Sequence, residues 1–213
     1  AAVRIASLAT GRDVIVKCGY HGWADWTVAA EDVHQGVPKA MEDLVSRFAY
    51  NDLASLDERL DESAGNVAAI MLEPTLIEPP APGFLEGVRE RATRIGAVLI
   101  FDEIVLGFRL ALGGGQEHFG VVPDMATFGK AMANGFPIAC IVGRREVMEH
   151  AWPISGTFGG NPIGLAAAHA VLGIYQRDPV IPWLWGVGAD FQNGLTARLV
   201  GLGVPAVCEG YPV

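Results

Sequence analysis

The chain has 213 residues, a formal net charge of −9 and 18% charged side chains. That length suits one large domain or one and a fraction, and 51% hydrophobic residues allow a substantial buried core, which excludes a disordered chain. The acidity argues against a nucleic-acid partner, which wants a basic stripe, and no stretch approaches the ~18 consecutive apolar residues of a membrane span.

In chain order, residue 1 enters what reads as a helix already under way. The stretch AAVRIASLATGRD lacks the apolar core and cleavage pattern of a secretion signal. DVIVKC (13–18) is a β-branched run and reads as a strand, followed by the aromatic loop GYHGWADW. In YNDLASLDERL (50–60), Leu53, Leu56 and Leu60 share one helical face and Asn51 is the expected N-cap. NVAAIMLEP (66–74) is a buried strand ending in a carboxylate. PGFLEGVRERATRIG (82–96) is an amphipathic helix with Leu85, Val88, Ala92 and Ile95 as its stripe, opened by Pro82 and closed by Gly96. AVLIFDE (97–103) is a second apolar strand ending in acids. MATFG and PIACIVG read as two more strands, NPIGLAAAHAVLGIYQR (161–177) as a long helix, and GVPAVCEGYPV at the end as a strand.

Apolar strands alternating with helices predict an α/β fold, a mainly parallel central sheet with helices on both faces. Ligands in such sheets bind beyond the carboxyl ends of the strands. The residues to question are therefore Tyr20, His21, Glu73, Asp102, Glu103 and Lys130. Cys18, Cys140 and Cys208 are odd in number and far apart, which suits reduced thiols in a cytoplasmic protein without a disulfide framework or a cysteine-based zinc site.

Several motifs fail on inspection. GGGQEHFG (113–120) has Gly113 and Gly115, but a dinucleotide fingerprint would need glycine at His118. Gly129-Lys130 would need glycine at Asp124 and Ser or Thr at Ala131 to be a phosphate loop. The five histidines have no metal-ligand spacing, so no metal site is expected, and no GxSxG turn is present.

Lys130 stands out because it is the only charged residue between Asp124 and Arg144, in a chain with three lysines. A buried lysine loses solvation of its charged form and becomes a nucleophile able to condense with a carbonyl. Asp102 directly follows AVLIF. Lysine and acid together suggest pyridoxal phosphate, which needs an amine for covalent attachment and an acid to hold its ring nitrogen protonated. Tyr20 could stack on the ring.

Five stretches in order make the chain resemble the class III pyridoxal-phosphate aminotransferases, most closely the glutamate-1-semialdehyde aminomutase branch. They are ATGRDVIVKCGYHGWADW, YNDLASL, MLEP, the run from APGFLEGVRERATRIGAVLIFDEIVLGF to GRREVME, and GTFGGNPIGLAAA. The resemblance implies the large domain of an aspartate-aminotransferase-like enzyme. It implies that Lys130 forms the Schiff base and shuttles protons, and that Asp102 pairs with the ring nitrogen. Ile104 and Tyr20 would flank the ring. Thr157 and the Gly156 backbone would donate to the phosphate of a partner subunit in a homodimer, and Glu73 would lie one layer out, near ring or substrate. His21, Arg109 and Asn134 read as support. The partners implied are a small-molecule amino donor and a carbonyl acceptor.

The resemblance also implies that residues 1–200 form the cofactor-binding large domain without its N-terminal part, and that 201–213 begin a truncated C-terminal small domain. The branch usually has YHGHAD and GTLSGNP where this chain has YHGWADW and GTFGGNP, which leaves transaminase and aminomutase both open. A truncated fragment that cannot hold cofactor alone is a further alternative.

Overall fold

The computed structural model describes residues 1–63 and 65–213. It is built on a six-stranded sheet. In chain order the chain forms α1 (Ala2–Thr10), β1 (Val14–Cys18), α2 (Asp25–Val28), α3 (Lys39–Glu42), β2 (Val45–Arg47), α4 (Leu53–Glu62) and β3 (Val67–Leu72). Then come α5 (Phe84–Ile95), β4 (Val98–Asp102), α6 (Gly115–Phe119), β5 (Met125–Phe128), β6 (Cys140–Gly143), α7 (Arg145–Met148), α8 (Pro162–Arg177) and α9 (Val180–Gly201).

The strand order is β2-β1-β3-β4-β5-β6. All neighbours pair in parallel except β5 and β6, which run antiparallel. Every residue of β1, β3 and β4 is buried, because side chains alternate between two covered faces. On one face Val16, Ile70, Leu72, Leu99 and Phe101 pack under α4 and α5. On the other, Ile15, Ala69, Met71, Ile100 and Met125 pack under α1 and α7. A fully buried side chain such as Leu99 contributes about 2 kcal/mol by leaving water, and the apolar runs in the sequence mark these strands for that reason.

The structure corrects three expectations. Asn51 does not cap α4: Asp52 does, its carboxylate accepting from Ser55 N. Asn51 instead takes a positive φ of 62° and ties to the 79–81 segment through Pro79 O and Ala81 N. Pro82 lies outside α5, which starts at Phe84 after Gly83 in the left-handed region. The terminal stretch 204–213 forms no strand; Tyr211 instead stands edge-on to Trp185 and His118. Asp52→Ala should cost about 1 kcal/mol of stability, readable as a lower denaturant midpoint with an unchanged slope.

No described helix is long and apolar enough to cross a membrane. The 22-residue α9 was not expected from the sequence; none of its residues is buried, and Trp183, Val187 and Phe191 are exposed.

Candidate active site

Because β1, β3, β4 and β5 are parallel, their carboxyl ends share one edge of the sheet. That edge gathers His21 after β1, Glu73 after β3, Asp102 at the end of β4, and Lys130 two residues after β5.

Asp102 is the anchor. Its Oδ2 lies 2.8 Å from His21 Nδ1, and its Oδ1 accepts from Ile104 N at 3.1 Å and from Thr127 Oγ1 at 3.1 Å. Thr127 sits opposite Asp102 in the β4–β5 register. The His21 side chain is fully buried, and its Nε2 lies 3.0 Å from Cys18 O. With Asp102 ionised, its Oδ2 is an acceptor, and His21 Nδ1 is placed to donate to it. Burial alone would raise the Asp102 carboxyl; the hydrogen bond and charge of His21, then Ile104 N–H and the Thr127 hydroxyl, outweigh it and hold the group below its ordinary range.

Two neighbouring acids go the other way. Burial first, then the Asp102 charge, raises Glu73, against the pull of His21 and Lys130. Burial also raises Glu103, although it accepts from Gly115 N at 2.8 Å and Gln116 N at 2.9 Å at the start of α6. The signs follow from linkage. A depressed Asp102 stabilises the fold at neutral pH, and that contribution is lost as pH falls from the ordinary carboxylate range through its folded value. Raised Glu73 and Glu103 cost stability at neutral pH and regain it as pH falls through their folded values. Carboxyl-carbon NMR during acid titration should therefore find Asp102 the last of the three to take a proton.

Lys130 corrects an expectation. It is exposed, not buried. It begins a short 3-10 turn, Lys130–Met132, with φ at 40°, in the left-handed region a side chain rarely adopts. A Cβ on the preceding Gly129 would come 3.1 Å from Ile104 Cδ1, so glycine there brings the Lys130 turn close to Ile104. The buried lysine is Lys17, one residue before the end of β1.

A cavity of about 800 Å3 opens at this edge, lined by His21, Asp102, Ile104, Thr127 and Gly156 among others. That is within the ordinary range for a cofactor or drug-sized ligand. Tyr20 is 58% exposed, and neither it nor Lys130 nor Thr157 lines that cavity. Thr157 and Gly156 lie on an exposed turn before α8, whose N-cap is Asn161, accepting from Ile163 N and Gly164 N. Glu73 and Arg109 line a second cavity of about 500 Å3. Asn134 is exposed at φ 46°. Cys18 is no nucleophile here: burial pushes its thiol up to about 11. Sequence reasoning missed Thr127 and the direct His21–Asp102 bond. The strand alternation placing Thr127 beside Asp102 was the available signal.

The mostly parallel sheet thus brings a braced carboxylate, an imidazole and an exposed lysine to one edge. The family model described as aminotransferase class-III matches residues 1–200, and the chain belongs to that family. It is 40% identical over 220 residues to 3-aminobutyryl-CoA aminotransferase of Cloacimonas acidaminovorans (strain Evry), covering 99% of this chain and 52% of that protein. A solved transaminase with PLP bound superposes with a TM-score of 0.90 at 25% identity, over 99% of this chain and 55% of that one. A glutamate-1-semialdehyde aminomutase (K286A) from Pseudomonas aeruginosa PAO1, in complex with PMP, superposes at 0.73 with 27% identity, over 95% and 51%. The chain thus spans about half the length of the relatives it matches.

Proposed function

We propose that this chain forms the cofactor-holding part of a pyridoxal-phosphate-dependent aminotransferase. The observation that carries the reading is Asp102. Its carboxylate has about four acceptor positions and three hydrogen-bond donors from the protein. By that count one position remains on a residue that lines the large cavity, and it suits a single ring N–H. The cofactor, when bound, supplies an aldehyde and an electron-accepting ring.

The residues then divide the work. Asp102 presents fixed negative charge to the ring nitrogen, and His21 keeps it ionised. Ile104, which lines the cavity, and Tyr20 would hold the ring between them. Lys130 Nζ would hold the cofactor's aldehyde and would be the amine that takes the proton from the substrate α-carbon. Glu73, raised by burial yet next to the Asp102–His21 pair, borders the reacting end. Gly156 and Thr157 donate to the phosphate of the partner subunit in a cytoplasmic homodimer with composite sites. What supports this last part is the exposure of Thr157 between Trp152, Phe158 and Ile163, which are 86%, 81% and 65% exposed, the kind of apolar surface that partners cover. The three free cysteines suit a reducing compartment. Residues 1–200 would be the large domain and 201–213 the start of a smaller one; the end of α9 at Gly201 is in keeping with that boundary.

Transfer between two molecules is favoured over the aminomutase reaction because the 40% relative is named as an aminotransferase and the aminomutase superposes less closely. The relative's name makes a 3-amino acyl thioester the first donor to assay. Pyridoxal phosphate should give a visible absorption band, and a productive donor should bleach it until a carbonyl acceptor restores it. A protein that never takes up the cofactor contradicts the reading. Thr157→Ala should weaken cofactor binding about tenfold, the loss of roughly one hydrogen bond to a charged group, with little change in melting temperature. Equal loss of both would assign Thr157 to the fold.

A further inference from the structure

Lys17 is wholly buried one residue before the carboxyl end of β1, where a charge persists only if paired. Its Nζ donates to Gly19 O at 3.0 Å and pairs with Glu31 Oε1. The other oxygen of Glu31 takes Arg47 at 3.0 Å, on the neighbouring strand β2. One ammonium therefore ties both ends of the loop 19–31. Along that loop stand Tyr20, His21, Trp23 and Trp26. Gly19 and Gly22 have φ values of 91° and 99°, a backbone that has no preference of its own for this shape. The inner turn closes through Thr27 Oγ1, which donates to Gly22 O at 2.7 Å. The Lys17 ammonium is wholly buried against Gly19 O and Glu31, so it has no access to a ligand.

We propose that Lys17 is a positioning residue, whose buried ammonium closes the loop 19–31 and so keeps His21 seated against Asp102. This rests on the reading of Asp102 as the acid that faces the cofactor's ring nitrogen. The link is short in the chain: Lys17 holds the carbonyl of Gly19, and two residues later the His21 ring bridges Cys18 O and Asp102. Without that tie the glycine hinges are free, and burial of Asp102 loses its first counterweight.

The test uses Lys17→Met, which keeps length and loses charge, and Lys17→Met/Glu31→Gln, which also removes the charge of a carboxylate then left with Arg47 alone. Three quantities are read without added cofactor: the NMR signal of the His21 Nδ1 proton, amide exchange over residues 19–28, and the melting temperature. The expected result in both variants is loss of the Nδ1 proton to solvent exchange and amide exchange faster by about tenfold or more. The double variant should melt closer to the original protein than the single one. If the double variant keeps the Nδ1 signal and the slow amides, Lys17 only satisfies a buried charge and the proposal is overturned. A single variant that loses melting temperature but keeps both local signals overturns it equally. Should Lys17→Met not fold, the double variant decides alone. An original protein that takes up no pyridoxal phosphate would sink the cofactor reading while leaving the loop measurements to stand by themselves.

Discussion

Lys130→Ala is expected to abolish turnover, a loss on the order of 10^5-fold for a residue that acts in covalent catalysis, and to remove the visible band of bound cofactor. No other amine side chain of this chain can replace it. Lys17 is buried and paired with Glu31, and Lys39 lies on α3, away from the strand ends that carry the site. Lys130 alone follows a central strand at the edge where His21, Glu73 and Asp102 meet, and its charge is felt at Glu73. Its left-handed φ is an observed strain that the turn through Asn134 N and Ala133 N to Lys130 O sustains. Because Lys130 is exposed, the fold should not notice the change, and the melting temperature should stay within a degree or two of the original, as for other surface substitutions. Steady-state kinetics with the absorption spectrum checks this; substantial residual turnover would remove Lys130 from the mechanism.

Asp102→Asn is expected to lower turnover by about 10^3-fold, roughly 4 kcal/mol, comparable with loss of a preorganised charge partner elsewhere. Asparagine has the same shape. Its oxygen can still accept from Ile104 N and Thr127 Oγ1. What it loses is the negative charge at the remaining acceptor position, and its amide nitrogen would face the His21 Nδ1–H that now donates. The damage should therefore appear in exchange of the substrate α-proton, which would slow in step with turnover. Near-normal α-proton exchange in the variant would take Asp102 out of its assigned role.

The parts of this picture legible in the sequence are those that apolar runs specify. β3 and β4 read as uninterrupted hydrophobic stretches because both faces of the sheet are covered, and their terminal carboxylates, Glu73 and Asp102, fall at the ligand edge as the parallel arrangement requires. The burial of lysines was not legible. Lys130 has apolar neighbours in sequence but stands where the chain leaves the sheet, so its side chain reaches solvent. Lys17 looks like an ordinary interruption in VIVKC, yet in a strand covered on both sides every position is interior, and its partner Glu31 is distant in sequence. The α4 cap slipped by one residue because Asn51, the more obvious cap, is used at positive φ to hold the 79–81 segment instead. α9 escaped notice because Pro182, Gly186, Gly188 and Gly194 blur a helical pattern that starts two residues before the proline and continues through the glycines.

The central claim is that the edge formed by β1, β3, β4 and β5 holds pyridoxal phosphate through Lys130. The most direct measurement is to incubate the protein with the cofactor, reduce with borohydride, digest, and locate the mass increment among the peptides bearing Lys17, Lys39 and Lys130. The account predicts a single modified site at Lys130, lost in Lys130→Ala. An increment on Lys39, or none on any of the three, would contradict it.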